Sequence, residues 1–281
     1  MALTVNTNLM AQQAYLNLSK TSTDMSNSMA KLSSGLRINT AADDAAGLSI
    51  SQGLQSQVSG NQIAARNAQD GISLIQTADG ALGEVHSILQ RMRDLAVQGA
   101  NDSNNADSRT AIQSEADELS KELFRITDGT KFNGIDLLKG SSLNFQIGAN
   151  GDADSQITVK TADTGTDVGS LASTDGTTAG TGFKVDTSAN AQTTITAIDT
   201  AITAVSTSRA SLGASQNRLT HALNIANTSA QNLTAAKSHI TDTDMAQEMV
   251  NYTKDNILSQ AGTAMLAQAN QSGQGILKLL G

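Results

Sequence analysis

One apolar register governs the last third of this chain. Ile195, Ile198, Ile202, Val205, Leu212, Leu219, Ala222, Ala226, Ser229, Leu233, Ala236 and Ile240 recur at steps of three, four or seven residues. On an α-helix such positions lie on one stripe, which a second helix must cover. Held over about 46 residues, the stripe extends about 70 Å. A register kept that long points to coiled-coil packing rather than a compact bundle. The chain contains no proline, and an interior proline would cost a helix about 3 kcal/mol. Nothing local interrupts the helix that the register asks for.

Similar stripes run through the first half. Leu18, Met25, Met29, Leu32 and Leu36 form one. Ile72, Ile75, Leu82, Val85, Leu89, Met92 and Ala96 form a second, and Ile112, Ala116, Leu119, Leu123 and Ile126 a shorter third. Punctuation falls where helices should end. Asn101 to Asp107 reads as a polar turn between two antiparallel helices, with Asp107 as N-cap and Gly129 as the next C-cap. Thr241-Asp242-Thr243-Asp244 breaks the long register, after which Met245, Met249, Tyr252, Leu258, Ala261 and Met265 resume an apolar stripe.

The centre follows a different period. Leu143, Phe145 and Ile147 alternate with polar residues, as do Ile157 and Val159 beyond Ala149-Asn150-Gly151-Asp152. That predicts a β-hairpin. Residues 162–191 are rich in Thr, Gly, Asp and Ala, with Phe183 and Val185 as isolated apolar positions, and read as a short, exposed, variable connection. The fold expected is mainly α, a long antiparallel coiled-coil-like helical rod with a small β-hairpin region.

Composition narrows function by exclusion. Aromatics are 2 % and charged residues 16 %, against about 25 % charged in an ordinary domain. The chain can line thin seams but not fill a thick core. A net charge of −8 repels phosphate backbones and excludes nucleic acid as a partner. No stretch approaches the roughly 18 apolar residues of a membrane helix, and the amphipathic ends lack the basic face that anionic lipid requires. Residues 1–13 show neither the basic nor the apolar region of a cleavable signal, so composition by itself implies a soluble, cytoplasmic chain. Without cysteine there is no disulfide framework and no thiolate metal site. His86, His221 and His239 sit in no metal-binding spacing, and the chain carries no phosphate-binding loop and no nucleophile elbow. No cofactor, metal or catalysis is expected. Asp43 and Asp44 read as a turn and helix start rather than paired catalytic carboxylates, with Arg37 a possible ion-pair partner across subunits.

A family resemblance rests on several blocks taken together. Leu32-Ser33-Ser34-Gly35-Leu36-Arg37-Ile38-Asn39 with Asp43-Asp44-Ala45-Ala46-Gly47, then Asn67-Ala68-Gln69-Asp70-Gly71-Ile72-Ser73 and Gly80-Ala81-Leu82, resemble bacterial flagellins. So do Gln90-Arg91-Met92-Arg93-Asp94-Leu95-Ala96-Val97-Gln98, Phe132-Asn133-Gly134 and Leu212-Gly213-Ala214-Ser215-Gln216-Asn217-Arg218-Leu219. Gln260-Ala261-Gly262-Thr263 with Leu266-Ala267-Gln268-Ala269-Asn270-Gln271 completes the set. The likeness covers residues 1–160 and 190–281 in order.

The resemblance implies a helical homopolymer, exported unfolded through a narrow channel to an extracellular filament that serves motility. It divides the chain into a D0-like helix and linker (1–44), D1-like helices and hairpin (45–161), the connection (162–191), a D1-like helix (192–240) and a D0-like helix (241–281). The short centre implies that D2- and D3-like outer domains are missing. Polymerisation is expected through the terminal seams: Leu18, Met25, Met29, Leu32 and Leu36, with Met245, Met249, Leu258, Met265, Leu277 and Leu280. These stripes are too lean to offset an ordering cost of about 1–2 kcal/mol per residue, so both ends are expected to be disordered in the monomer and to fold against neighbouring copies. An export chaperone or assembly factor is expected on the last helix, at Met249, Leu258, Leu266 and Asn270. Filament cap and hook–filament junction proteins are further implied partners. Gln90, Arg91, Leu95, Ile112 and Glu115 match positions through which the innate receptor Toll-like receptor 5 (TLR5) recognises flagellins. The nearest rival is a hook–filament junction (hook-associated) protein; the intact blocks at 32–47 and 67–98 weigh against it.

Overall fold

The structure, a computed structural model, describes residues 7–173 and 175–280, with backbone alone for 272–280. In chain order the main elements are α1 (Leu9–Ser34), α2 (Ala45–Gly99), α3 (Ala106–Gly129), β1 (Lys131–Phe132), β2 (Ile135–Asp136), β3 (Ser142–Gln146), β4 (Gln156–Lys160), α4 (Thr164–Val168), α5 (Ser188–Thr241) and α6 (Met245–Leu280). The fold is mainly α, with long helices and short antiparallel strand pairs. It forms two compact units, a terminal one of Met1–Ser56 with Asn232–Gly281 and a central one of Gln57–Gln231.

In the central unit the stripes close on one another. Ile75, Leu82, Leu89 and Met92 of α2, Leu123 of α3, and Ile198, Leu212 and Leu219 of α5 are all fully enclosed. Burying each such side chain contributes about 1.5–3 kcal/mol. Two ion pairs mark the antiparallel register of α2 and α5: Arg93 Nε to Asp199 Oδ1 at 2.6 Å and Arg209 Nε to Asp79 Oδ1 at 2.8 Å. Thr194 also lies in the α5 stripe. Its buried hydroxyl donates to the Lys184 carbonyl at 3.0 Å and accepts from the Lys184 N–H at 3.1 Å, so this hydroxyl is not stranded in the stripe.

The alternating segments pair as expected, with Ser142 opposite Lys160 and Gln146 opposite Gln156. Ile157 and Val159 turn into the core. A second, smaller hairpin lies just before it. Phe132 pairs with Ile135 across Asn133-Gly134, whose φ values of 48° and 80° are the left-handed pair of a type I′ turn, the conformation that Asn-Gly favours.

Three sequence expectations change. Asn105, not Asp107, caps α3, its side-chain oxygen accepting from the Ser108 N–H at 2.8 Å. Asp107 sits in the first turn, where its charge meets the positive helix end. The helix runs through Gly129, and Thr130 is its C-cap. The segment 162–191 is not simply exposed, because Val168, Leu171, Phe183 and Val185 are core residues. The cause is one face of α3, which needs a cover and offers hydrogen bonds to any backbone laid across it. The Ser120 carbonyl accepts from the Ser173 N–H at 3.1 Å and its hydroxyl from the Gly180 N–H at 2.6 Å. Gln113 and Arg109 donate to the carbonyls of Phe183 and Asp186 at 3.0 and 3.2 Å.

Candidate assembly surface

In the terminal unit α1 and α6 lie antiparallel, a direction fixed by three widely spaced contacts. The Asn8 side-chain amide donates to the Ala269 carbonyl at 2.9 Å, Leu18 meets Gly262, and Leu36 forms a β-bridge with Asp242. On α1 the positions withdrawn from solvent include Ala11, Ala14, Leu18, Thr21, Met25, Ser28 and Leu32. On α6 they include Tyr252, Asp255, Ser259, Gly262, Leu266 and Ala269. Both sets step by three and four, so the heptad is real, yet small and polar residues hold more than half of it. A Cβ at Gly262 would stand 3.3 Å from Leu18 Cδ1, so the helices approach closely there because no side chain intervenes.

Most of the bulky apolar residues stand on the outside. Leu9, Met10, Tyr15, Leu16 and Met29 of α1, and Met245, Met249, Val250, Ile257, Leu258 and Met265 of α6, are exposed. Several lie seven apart (Leu9 and Leu16, Val250 and Ile257, Leu258 and Met265), which lines them up beside the seam. Between the helices runs an open groove of about 560 Å³, walled by Leu9, Met10, Leu18, Leu258, Ala261 and Met265 among others. The expected seam residues therefore divide. Leu18, Met25, Leu32 and Leu36 are half-buried, whereas Met29, Met245, Met249, Leu258 and Met265 face solvent. The side chains of Leu277 and Leu280 lie outside the described residues.

Where α1 ends, the two arms are tied by backbone. The Arg37 and Thr243 N–H groups donate to the carbonyls of Thr241 and Gly35 at 2.6 and 3.1 Å. The Arg37 guanidinium donates to the Ile240 carbonyl at 2.7 Å, satisfying the open end of α5 within the same chain rather than pairing with a carboxylate. Asp43 and Asp44 are occupied locally. Asp43 accepts from the Thr40 N–H and hydroxyl and the Asn39 N–H, which hold its carboxyl below the ordinary range. Asp44 accepts from the Gly47 N–H at 2.8 Å and so caps α2.

On the central unit Arg91 and Glu115 form an ion pair, Nη2 to Oε1 2.5 Å, between α2 and α3. Gln90 Nε2 lies 2.9 Å from His86 Nε2. Of the five positions grouped for receptor recognition, Gln90, Arg91 and Glu115 reach solvent. Leu95 and Ile112 are 2 % and 6 % exposed. Both are core residues beneath the patch and offer a partner no surface of their own, because the stripe places them on the inward face of α2 and α3.

Models of the bacterial flagellin N-terminal and C-terminal helical regions match residues 5–143 and 195–280. Flagellin of Halalkalibacterium halodurans is 46 % identical over 278 residues, covering 98 % of this chain and 99 % of its own. The chain belongs to the bacterial flagellin family. It is a structural subunit of the extracellular flagellar filament and not an enzyme. Flagellin of Bacillus subtilis is likewise 46 % identical, over 98 % of this chain and 99 % of its own. The crystal structure of Bacillus cereus flagellin aligns with a TM-score of 0.49 at 36 % identity, over 61 % of this chain and 94 % of that one. Among the described residues no helix is long and apolar enough to cross a membrane.

Several of the outward residues, Leu9, Met10, Tyr15, Leu16, Val250 and Ile257, were not singled out from sequence. The signal was present as apolar pairs seven apart in a stripe displaced from the one that small residues occupy. In the segment expected to meet an export chaperone, Met249, Leu258 and Asn270 are exposed and Leu266 is half-buried in the seam.

Proposed function

We infer that the outer faces of α1 and α6 are the assembly element of this subunit, buried in the filament against identical chains. One observation supports this above others: the paired helices α1 and α6 fill more than half of their own seam with small and polar residues and hold Leu9, Leu16, Val250, Ile257, Leu258 and Met265, among others, on the outside. Each such side chain, once covered by a neighbour, contributes about 1.5–3 kcal/mol. A few per subunit suffice for a stiff polymer. The terminal unit then corresponds to the inner tube of the filament and the central unit to its outer layer. The ends gain most of their order during assembly, since the seam alone buries too little to hold them. Seeded elongation followed by light scattering tests the reading. Leu258→Ser with Met265→Ser is expected to leave monomer circular dichroism unchanged and abolish elongation. Elongation at the wild-type rate would overturn it.

The same exposed stripe on α6 suits an escort before secretion, a chaperone or assembly factor using Met249 and Leu258 and touching Asn270. Export as an unfolded chain fits the lack of cysteine, because a disulfide would obstruct a narrow channel. Cap and junction proteins then meet the subunit at the filament ends. Receptor recognition by TLR5 uses Gln90, Arg91 and Glu115, with Leu95 and Ile112 holding their helices in place. In a reporter-cell assay Arg91→Ala is expected to weaken the response to monomer; a response equal to wild type removes the proposal.

A further inference from the structure

The methionines among the described residues are sorted by location. Met92, in the central unit, is fully buried. Met10 and Met29 on α1, and Met245, Met249 and Met265 on α6, are all 47–64 % exposed on the outer faces of the terminal unit. Met25 is half-buried in the seam. A leucine would supply similar apolar area, but a thioether differs in one respect. A mild two-electron oxidant turns it into a polar sulfoxide, and that change is reversible by enzymes.

The geometry points to a modification site: oxidation of Met10, Met29, Met245, Met249 and Met265 by a peroxide switches the free subunit to an assembly-incompetent form. The inference rests on the outer faces being the assembly surface. In the step itself a sulfur lone pair attacks one peroxide oxygen and the O–O bond breaks. The departing hydroxide takes up the proton of the transferred oxygen and leaves as water. Sulfur loses two electrons and the peroxide gains them. The new S=O group is a strong hydrogen-bond acceptor, which an apolar neighbour would leave unpaired once water is expelled. Covering these positions during assembly shields the sulfurs, so the switch acts on unassembled subunits. With Met92 enclosed, the interior of the central unit is spared, and the product is a folded subunit that cannot add to a filament. Reduction by thiol-dependent methionine sulfoxide reductases restores it.

The test treats full-length monomer with hydrogen peroxide, quenches it, maps sulfoxides by peptide mass spectrometry and offers the protein to filament seeds. Sulfoxides are expected at the five exposed positions and not at Met92, with elongation slowed at least about ten-fold and recovered by the reductases. A variant carrying leucine at all five positions is expected to elongate equally before and after peroxide. Undiminished elongation of the oxidised protein overturns the proposal, as does equal loss in the leucine variant. If that variant cannot elongate untreated, the reductase arm decides, and failure to recover overturns it. Assembled filaments receive the same peroxide in parallel. Equal oxidation in filament and monomer defeats the assembly reading itself, whereas protection in the filament with unimpaired oxidised subunits defeats only the switch.

Discussion

The central unit turns Ile75, Leu82, Leu89, Leu212 and Leu219 inward, where they are fully enclosed. The terminal unit turns Leu9, Leu16, Val250, Ile257, Leu258 and Met265 outward and closes its seam with Ala11, Ala14, Ser28, Ser259, Gly262 and Ala269. Among the described residues, twelve of the sixteen exposed large apolar side chains belong to the terminal unit, although it is the smaller of the two. Heptad spacing serves both, but in one it builds an interior and in the other it builds a surface. The difference shows that periodicity establishes a helix and its stripe, while the size of the residues within the stripe decides whether that stripe can be a core.

The largest effect expected is Leu212→Ala, which removes part of the enclosed α5 stripe and should lower stability by about 2–5 kcal/mol in denaturant unfolding. Leu258→Ala, chemically the same change, should shift the monomer by no more than about 0.5 kcal/mol. Comparable losses at the two sites would dissolve the contrast. Next comes packing at Gly262. Leucine there meets Leu18 across the seam and should cost about 1–3 kcal/mol, seen as reduced amide protection along α1 in filaments. Gly80, with nothing within 4 Å of an added Cβ, should instead gain up to about 1 kcal/mol on mutation to alanine. A smaller effect is expected at Arg209 and Asp79, whose side chains are partly exposed. A double-mutant cycle should return a coupling of at most about 1 kcal/mol, so this pair marks register more than it stabilises.

The last expectation concerns acid. Asp43 is held below the ordinary carboxyl value by the Thr40 and Asn39 N–H groups and the Thr40 hydroxyl. Asp242 is held down by the hydroxyls of Ser238 and Thr241. A depressed folded pKa contributes stability above the unfolded value, and that contribution is lost as pH falls through the folded one. Protection factors at residues 36–44 and 238–244 should therefore fall as pH drops below the ordinary carboxyl value of 3.8, and Asp43→Asn should flatten the change. A pH-independent profile would show that these bonds do not hold the junction.

Much of the fold was legible in advance because it depends on local chemistry. The long α5 register, the break at Thr241 to Asp244 and the alternation of Leu143, Phe145, Ile157 and Val159 each predict an element that is present. The cover formed by residues 162–186 was not legible, since its apolar residues are few and its attachment uses Ser120, Gln113 and Arg109 from a helix far back in the chain. The Asn133-Gly134 hairpin has a turn signal in the sequence but almost no strand signal, its strands being only two residues each. In the candidate assembly surface, the seam residues expected from sequence divide between the inward and outward sides of the helix pair. Met29, Met249 and Leu258 fit the stripe by spacing, but the inward side goes to whichever face lets two backbones approach, and glycine and alanine define that face. Leu95 and Ile112 were drawn into the receptor group by motif, whereas their stripe makes them interior.

Both units are stitched from distant stretches of chain: Met1–Ser56 joins Asn232–Gly281, and within Gln57–Gln231 the helix α2 packs against α5, which begins only at Ser188. A ribosome that has finished the first 187 residues has therefore completed neither interior, and long-range closure of this kind is intrinsically slow. During synthesis the central unit cannot close before α5 emerges, nor the terminal unit before α6, an order of completion written into topology alone.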